Sequence, residues 1–201
     1  MMQYIITEYQ NMGRGQIHLC LNETITLRLY KGEANQMSLA QGVELSEEQY
    51  RYLLHDIIGK RAAKRAMHLL ERQERTEYQL REKLRQNCYP PEAIEDAVDY
   101  VKRYHYLDDE RYARTFIHFH QETRSKMRLK NDLARRGISR ELIAYCLEEE
   151  FVSDERAQIK RLLDQKNFSP DTADREEYGK MYRFLMRRGF CGSDISSVMR
   201  R

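Results

Sequence analysis

The feature that most constrains the fold is an apolar pattern that recurs three times after about residue 60. In each copy, a leucine is followed ten residues later by an isoleucine: Leu84 and Ile94, Leu133 and Ile143, Leu185 and Ile195. The copies are offset by 49 and then 52 residues. A period of this length is typical of helical repeats that pack on their neighbours. The sequence therefore predicts three tandem three-helix repeats in an elongated, curved array, over residues 60–107, 108–152 and 153–201.

Residues that favour helix ends mark the same three units. Helix starts are predicted at Thr76 with Gln79, at Pro91, at Asp108 and at Ser153. Gly137 and Gly189 lie where the second helix of a repeat should end in a left-handed residue. The first repeat has Cys88 at this position, so we expect its turn to differ.

The first 59 residues follow a different pattern. Apolar residues alternate over residues 16–21 and 24–30, and residues 3–9 also have strand composition, which predicts a small β element over 1–45 with two or three strands. Asn22-Glu23 would form the hairpin turn. Ser46 and Gln49 have capping-box spacing and open a linking helix over 46–59. The fold class is therefore mainly α, preceded by this small sheet.

Composition limits the classes of protein to consider. Apolar residues make up 41% of the chain and charged residues 33%, which suits an elongated helical protein with much wet surface. No two of the four cysteines form a CxxC pair, so we expect reduced thiols in a cytoplasmic protein. No signal-peptide pattern or membrane-length apolar run is visible. No phosphate-binding glycine loop, nucleophile elbow or HExxH motif is present either, which argues against an enzyme and predicts no cofactor.

Positive charge is concentrated between residues 61 and 136, which hold 18 basic and 13 acidic residues. On a helix predicted over 61–75, one sector of roughly 100° contains His68 and five cations, namely Arg61, Lys64, Arg65, Arg72 and Arg75. No acid lies among them, and like charges at this spacing repel. We interpret the face as a contact for phosphates or for an acidic protein surface, and the alternative is a solvated helix face.

The second repeat contains a second basic cluster of Arg124, Lys126, Arg128 and Lys130, with Arg135 on the same face as Arg124 and Arg128. No acid lies between residues 124 and 130. The cluster would extend the first basic face into a stripe, and the alternative is a charged loop and helix start. By contrast, the Arg135-Arg136 and Arg187-Arg188 pairs precede the two glycines, where cations stabilise a last helical turn.

Other chemically capable residues have simpler structural explanations. Asp108, Asp109 and Glu110 open a helix, where acids complement its dipole, and no further ligands accompany them as a metal site would require. His118 and His120 point in different directions, and His120 lies on the apolar stripe. Four aromatic residues could stack bases but are expected to pack between units: Tyr104, Tyr106, Tyr112 and Phe119.

Taken together, several motifs resemble the RecX family. They are Tyr106-Leu107-Asp108-Asp109, followed by Tyr112-Ala113, then Arg136-Gly137-Ile138, then Phe184-Leu185 and Arg188-Gly189-Phe190. The resemblance spans essentially the whole chain and is closest to the longer Gram-positive-type members. Within it, Leu107, Asp108, Asp109, Tyr112, Ala113, Gly137 and Gly189 are structural motif residues.

The resemblance implies a non-enzymatic regulator of the RecA recombinase in DNA repair and recombination. Such proteins lie in the groove of the RecA–single-stranded DNA filament, lower ATP hydrolysis and strand exchange, and also bind DNA. It implies a protein that acts as a monomer on RecA filaments and on single- and double-stranded DNA. The alternative from the residues is an autonomous DNA-binding module of tandem helix-turn-helix type, although no helix rich in base-reading side chains stands out.

Overall fold

Alternating apolar residues near the N-terminus form an antiparallel sheet. In the computed structural model, which describes residues 3–200, its strands are β1 (Tyr4–Gly13), β2 (Gln16–Leu21), β3 (Ile25–Tyr30) and β4 (Glu44–Leu45). Their order is β3-β2-β1-β4. The expectation of at most three strands is wrong, because two residues of β4 pair with Tyr4 and Ile5 of β1. So short a strand has no alternating pattern of its own to reveal it.

The β2–β3 hairpin turns at Asn22 and Glu23, which both adopt positive φ values of 50° and 60°. Asparagine tolerates this conformation better than most residues. Its side chain also ties the turn to β1, accepting a hydrogen bond from the Ile5 amide at 2.8 Å and donating to the Gln3 carbonyl at 3.1 Å. These bonds explain how a hairpin forms here without glycine.

Two helical features connect the sheet to the first repeat. Helix α1 (Lys31–Gln36) was not predicted, because only Ala34 on it is buried and no apolar period marks it. The capping box at Ser46 is confirmed, and it opens α2 (Glu47–Arg51). This helix runs on through a π-helical segment (Tyr52–Gly59) into α3 (Lys60–Arg72) without a break. The predicted linking helix is thus continuous with the first helix of the repeats.

The rest of the chain forms three tandem three-helix repeats, as predicted. The first consists of α3, α4 (Glu77–Gln86) and α5 (Pro91–Arg103). The second consists of α6 (Asp109–His120), α7 (Lys126–Ala134) and α8 (Arg140–Glu150). The third consists of α9 (Glu155–Gln165), α10 (Arg175–Arg187) and α11 (Gly192–Val198).

Most predicted helix starts are confirmed. Thr76 and Gln79 form a capping box at α4, and Pro91 is the first residue of α5. The prediction for the third repeat is wrong by one residue. Asp154, not Ser153, caps α9, because its carboxylate accepts hydrogen bonds from two backbone amides of the first turn.

The second helix of every repeat ends in the same turn. Cys88, Gly137 and Gly189 have φ values of 61°, 82° and 88°. In each case the next residue's amide bonds to the carbonyl of a core leucine, Leu84, Leu133 or Leu185. This is the Schellman arrangement. The expectation that the first repeat would turn differently is wrong, because Cys88 adopts the left-handed conformation despite its side chain.

Two compact units divide the chain between Asp108 and Asp109. In the first, the sheet, the long helix and the first repeat share one apolar core, which includes Leu19, Leu53, Leu84 and Leu107. In the second, separate cores form around Leu133 in the second repeat and Leu185 in the third. None of the helices within residues 3–200 is long and apolar enough to cross a membrane.

Candidate nucleic-acid interface

Part of the predicted basic face of α3 is already occupied by contacts within the protein. Arg61 forms an ion pair with Glu33 of α1, and its side chain is only 18% exposed. Its guanidinium also lies over the rings of Tyr30 and Tyr89 and donates to the Arg28 carbonyl at 2.6 Å. The expectation of a face without acids is therefore wrong, because the fold brings Glu33 to it from α1.

The other four predicted cations of this face differ in their surroundings. Lys64 and Arg72 are exposed, and no ion pair involves either one within residues 3–200. Arg65 is half-buried and donates to the Asn87 side chain at 2.9 Å. Arg75 lies outside the helix, because α3 ends at Arg72, and its Nε is buried without a hydrogen-bond partner in the described chain. Only Lys64 and Arg72 present the open face that the pattern predicts.

The second basic cluster is organised by one buried carboxylate. Asp132, on α7, is only 5% exposed. Its side chain pairs with Arg124 at 2.9 Å, with Arg128 at 3.2 Å and with Arg135 at 4.0 Å. One acid therefore positions three of the predicted arginines and leaves the cluster with excess positive charge. The sequence placed no acid between residues 124 and 130, but the fold supplies this one from the next turn.

An aromatic ring holds the same cluster from another side. The guanidiniums of Arg136 and Arg124 lie 4.4 Å and 5.3 Å from the centre of the Phe116 ring, distances at which cations are attracted to aromatic faces. Arg136 also donates to the Tyr112 hydroxyl at 3.1 Å and to the Asp132 carbonyl at 2.7 Å. The Arg124 and Arg136 side chains are thereby fixed in place before any partner arrives.

His120 packs edge-on against the Phe116 ring, at 4.4 Å between ring centres. Burial lowers the pKa of His120, and the nearby Arg124 and Arg136 lower it further. The folded state therefore favours the neutral ring. The stabilisation is fully present above the unfolded pKa of about 6.5 and is lost as the pH falls from that value through the lower pKa of the folded state.

We therefore expect the free energy of unfolding to decrease between pH 7.5 and pH 5.5, and this decrease to be smaller in His120→Gln. Urea unfolding of both proteins across this range measures the difference. An NMR titration of the His120 ring should give a pKa below the usual histidine value. Identical pH profiles for the two proteins would contradict a pKa shift at this position.

The two predicted lysines of the cluster flank its arginines. Lys126 lies at the start of α7, with its ammonium 5.8 Å from the centre of the Phe151 ring. Lys130, one turn further along, is exposed, and no ion pair involving it occurs within residues 3–200. Arg135 is also largely exposed, at 71% of its side chain. These three side chains leave the outer part of α7 strongly basic.

The acidic segment at the start of the second repeat lies where α6 begins. Asp109 and Glu110 lie in the first turn of α6, and Glu110 pairs with Arg114 at 2.9 Å. Across residues 3–200, no group of three or more His, Cys, Asp or Glu side chains could hold a metal ion. Leu107 is buried in the core of the first unit, and Ala113 in that of the second repeat.

The expectation that four aromatic residues pack between units is wrong. Tyr104, Tyr106 and Phe119 are 55%, 51% and 74% exposed. The Tyr104 ring lies tilted against those of Tyr100 and Tyr106, with ring centres 4.9 Å and 6.4 Å apart. Of the four, only Tyr112 packs against a core, and this is the core of its own repeat rather than a gap between units. Apolar spacing did not distinguish exposed from buried aromatic rings here.

Arg187 and Arg188 were predicted only to stabilise a helix end. The sequence did not reveal that they also line a cavity. Both are exposed, and together with Arg124 and Arg128 they line one cavity at the junction of the second and third repeats. The signal was present in the sequence as two arginine-rich segments. Their proximity depends on how the two repeats pack.

Comparison with known proteins supports the interpretation of the repeats. Models of the first, second and third three-helix domains of RecX match residues 62–100, 108–147 and 154–199. A regulatory protein RecX of Caldanaerobacter subterraneus is 32% identical over 164 residues, covering 81% of each chain. The chain belongs to the RecX family. This is a family of regulatory proteins rather than of enzymes, and RecX membership agrees with the resemblance carried by the motifs.

More distant RecX proteins cover more of the chain. A Clostridium beijerinckii regulatory protein RecX is 24% identical over 96% of this chain and 92% of its own length. A crystal structure of regulatory protein RecX aligns over 98% of this chain and 100% of its own, with a TM-score of 0.63 at 19% identity. RecX from Lactobacillus salivarius aligns over 71% and 94%, with a TM-score of 0.58 at 17% identity. The RecX fold therefore includes the N-terminal sheet region of this chain.

Proposed function

We propose that this protein is a non-enzymatic regulator of homologous recombination and DNA repair that binds in the groove of the RecA–single-stranded DNA filament. There it would inhibit filament growth, ATP hydrolysis and strand exchange by RecA. The observation that carries the proposal is the succession of three RecX domains between residues 62 and 199. The relatives' description as regulatory proteins supports it.

The basic surfaces suggest how such a protein would be anchored. A nucleoprotein filament is polyanionic, so the open cations of α3 and α7 would be attracted to it. On α7, Asp132 and Phe116 hold arginines in fixed positions, which lowers the entropy lost when they bind an anion. Occupying the groove by shape and charge needs no reacting group, so inhibition would follow from where the protein lies.

We further propose that it acts as a monomer in the cytoplasm and that single-stranded and double-stranded DNA are additional partners. Reduced cysteines favour that compartment, and the described Cys20, Cys88, Cys146 and Cys191 form no disulfide. Light scattering at assay concentrations would measure the mass of the species in solution. A stable dimer would contradict the proposed state without affecting the proposed regulation.

We expect the purified protein to inhibit the single-strand-dependent ATPase of RecA at or below one molecule per RecA subunit. The double variant Lys64→Glu/Arg72→Glu should raise the concentration for half-inhibition about tenfold, equivalent to about 1.4 kcal/mol of binding free energy. It should also reduce the log–log salt slope of filament binding by about 1.4, if each cation neutralises one phosphate of the single strand.

Lys160→Glu/Lys180→Glu is the matched control, because it makes the same charge change at exposed lysines of the third repeat. This control should leave half-inhibition nearly unchanged. Absence of any effect of the parent protein on ATPase and strand exchange would contradict the proposed function. Inhibition that is equally strong in both double variants would instead show that the α3 face is only solvated.

A further inference from the structure

The second and third repeats enclose a cleft whose lining is dominated by arginine. Its volume is about 380 Å³. Arg124 and Arg128 come from the start of the second helix of one repeat, and Arg187 and Arg188 from the end of the equivalent helix in the next. Thr123, Ser125 and Phe190 complete the lining.

The walls of this arginine cleft are held together by a specific junction. The buried Ser125 hydroxyl caps α7 by accepting a hydrogen bond from the Arg128 amide at 3.2 Å, and it donates to the Arg188 carbonyl at 2.7 Å. Beside it, Gly189 approaches so closely that an added Cβ would lie 2.7 Å from the Ser125 oxygen. One hydroxyl thus joins the start of α7 to the end of α10 and fixes the separation of the two arginine pairs.

The cleft has four guanidiniums but only one carboxylate that neutralises any of them. Asp132 pairs with Arg124 and Arg128 from the buried side of α7. Arg188 lies over the Phe184 ring at 4.7 Å, and within residues 3–200 no acid pairs with Arg187 or Arg188. The lining therefore carries an excess of about three positive charges. Like charges gathered in this way repel, so the arrangement favours an anionic ligand.

Two of the backbone amides at the start of α7 already donate to other groups. The Lys126 amide donates to the Glu155 carboxylate at 3.0 Å, and the Arg128 amide to Ser125. Recognition would therefore depend on the guanidiniums. Their planar, bidentate donors suit phosphate oxygens, and arginine is the side chain most used for this purpose.

We infer that the arginine cleft binds the phosphodiester backbone of a nucleic-acid strand, with one phosphate at each arginine pair. A volume of 380 Å³ equals roughly twelve water molecules, which exceeds the needs of one isolated anionic group. Two successive phosphates of one strand, joined by their sugar, would each bind one of the two arginine pairs. Within the proposed function, on which this identification of the strand rests, the ligand is the DNA of the filament.

The inference can be tested on bare strands, without RecA. Fluorescence anisotropy with a labelled oligothymidylate measures affinity at several salt concentrations. We expect Arg187→Glu/Arg188→Glu to weaken binding at least about tenfold. The log–log salt slope should fall by about 0.7, because this arginine pair holds one phosphate of the single strand. Arg183→Glu, on the same helix but outside the cleft, should change affinity less than about twofold per charge reversed.

Two further measurements keep the result interpretable. Circular dichroism melting checks that the variants fold, and Arg187→Gln/Arg188→Gln repeats the test without introducing negative charge. Hydrogen exchange with and without the oligonucleotide should show protection of residues 124–128 and 187–190. Equal affinity of the parent and both double variants for the strand, or no strand binding by the parent even at low salt, would overturn the inference.

Failure of this inference differs from failure of the proposed function. If the cleft variants bind bare strands normally but no longer inhibit RecA, the cleft contacts acidic protein groups, so the strand assignment is wrong while regulation stands. The strand assignment would also be wrong if a polyglutamate peptide, but not oligothymidylate, competed with the RecA filament for binding to this protein. If the variants lose strand binding and the parent has no effect on RecA, the cleft assignment holds and the proposed function fails.

Discussion

Replacing Leu133 with alanine is expected to lower the free energy of unfolding by about 2–5 kcal/mol. Leu133 is completely buried in the core of the second repeat, and its carbonyl accepts the amide hydrogen bond that closes the turn after α7. Truncation leaves a cavity that the surrounding Leu129, Ile143 and Cys146 can fill only in part. Urea unfolding followed by circular dichroism, in the linear extrapolation, measures the loss.

Met127→Ala is the matched control for Leu133, because it shortens an apolar side chain on the same helix that is 51% exposed. We expect a change in the free energy of unfolding within about 0.5 kcal/mol, as for surface substitutions in general. A loss at Leu133 no larger than that at Met127 would show that Leu133 is not a core residue.

Gly189→Ala is expected to destabilise the third repeat by about 2–5 kcal/mol, through two effects that add. The left-handed φ of 88° disfavours any side chain by about 1–2 kcal/mol. The new Cβ would also lie 2.7 Å from the Ser125 oxygen and 3.2 Å from the Arg128 amide nitrogen, and overpacking of this kind typically costs about 1–3 kcal/mol. Thermal and urea unfolding measure the sum.

Gly42→Ala separates these two effects. Gly42 has a similar φ of 84°, but an added Cβ would meet no atom within 4 Å. This variant should therefore show only the conformational cost of about 1–2 kcal/mol. If the two alanine variants lose equal stability, the close approach at Gly189 does not constrain the junction. Cys88 already shows that the left-handed turn alone tolerates a side chain.

The repeats were predictable because their signals are local. Spacing of core leucines and isoleucines, the Thr76 capping box and the glycines at 137 and 189 all depend on neighbours within a few residues. Strand β4 and helix α1 were missed because they are short and lack an apolar period. The left-handed Cys88 was missed because its conformation follows from the repeat's geometry rather than from its own preference.

The candidate site was only partly predictable, for a different physical reason. A helical wheel shows which cations share a face, but it cannot show which acids other elements bring to that face. Glu33 reaches Arg61 from 28 residues away, and Asp132 folds beneath Arg124 and Arg128. Ion pairing of this kind decides which charges remain for a partner. It depends on tertiary packing, as does the position of Arg187 and Arg128 on the lining of one cleft.

The core shared by the sheet and the first repeat determines where the chain can be divided. A fragment that begins at residue 60 would retain α3, α4 and α5 but lose the strands and the π-helical segment, whose Leu19, Leu53 and Ile58 belong to the same core as Ala62 and Ala66. Its apolar surface would then face water. The first repeat is therefore not an interchangeable module, and gain or loss of whole repeats during evolution would be easier on the C-terminal side of Asp108.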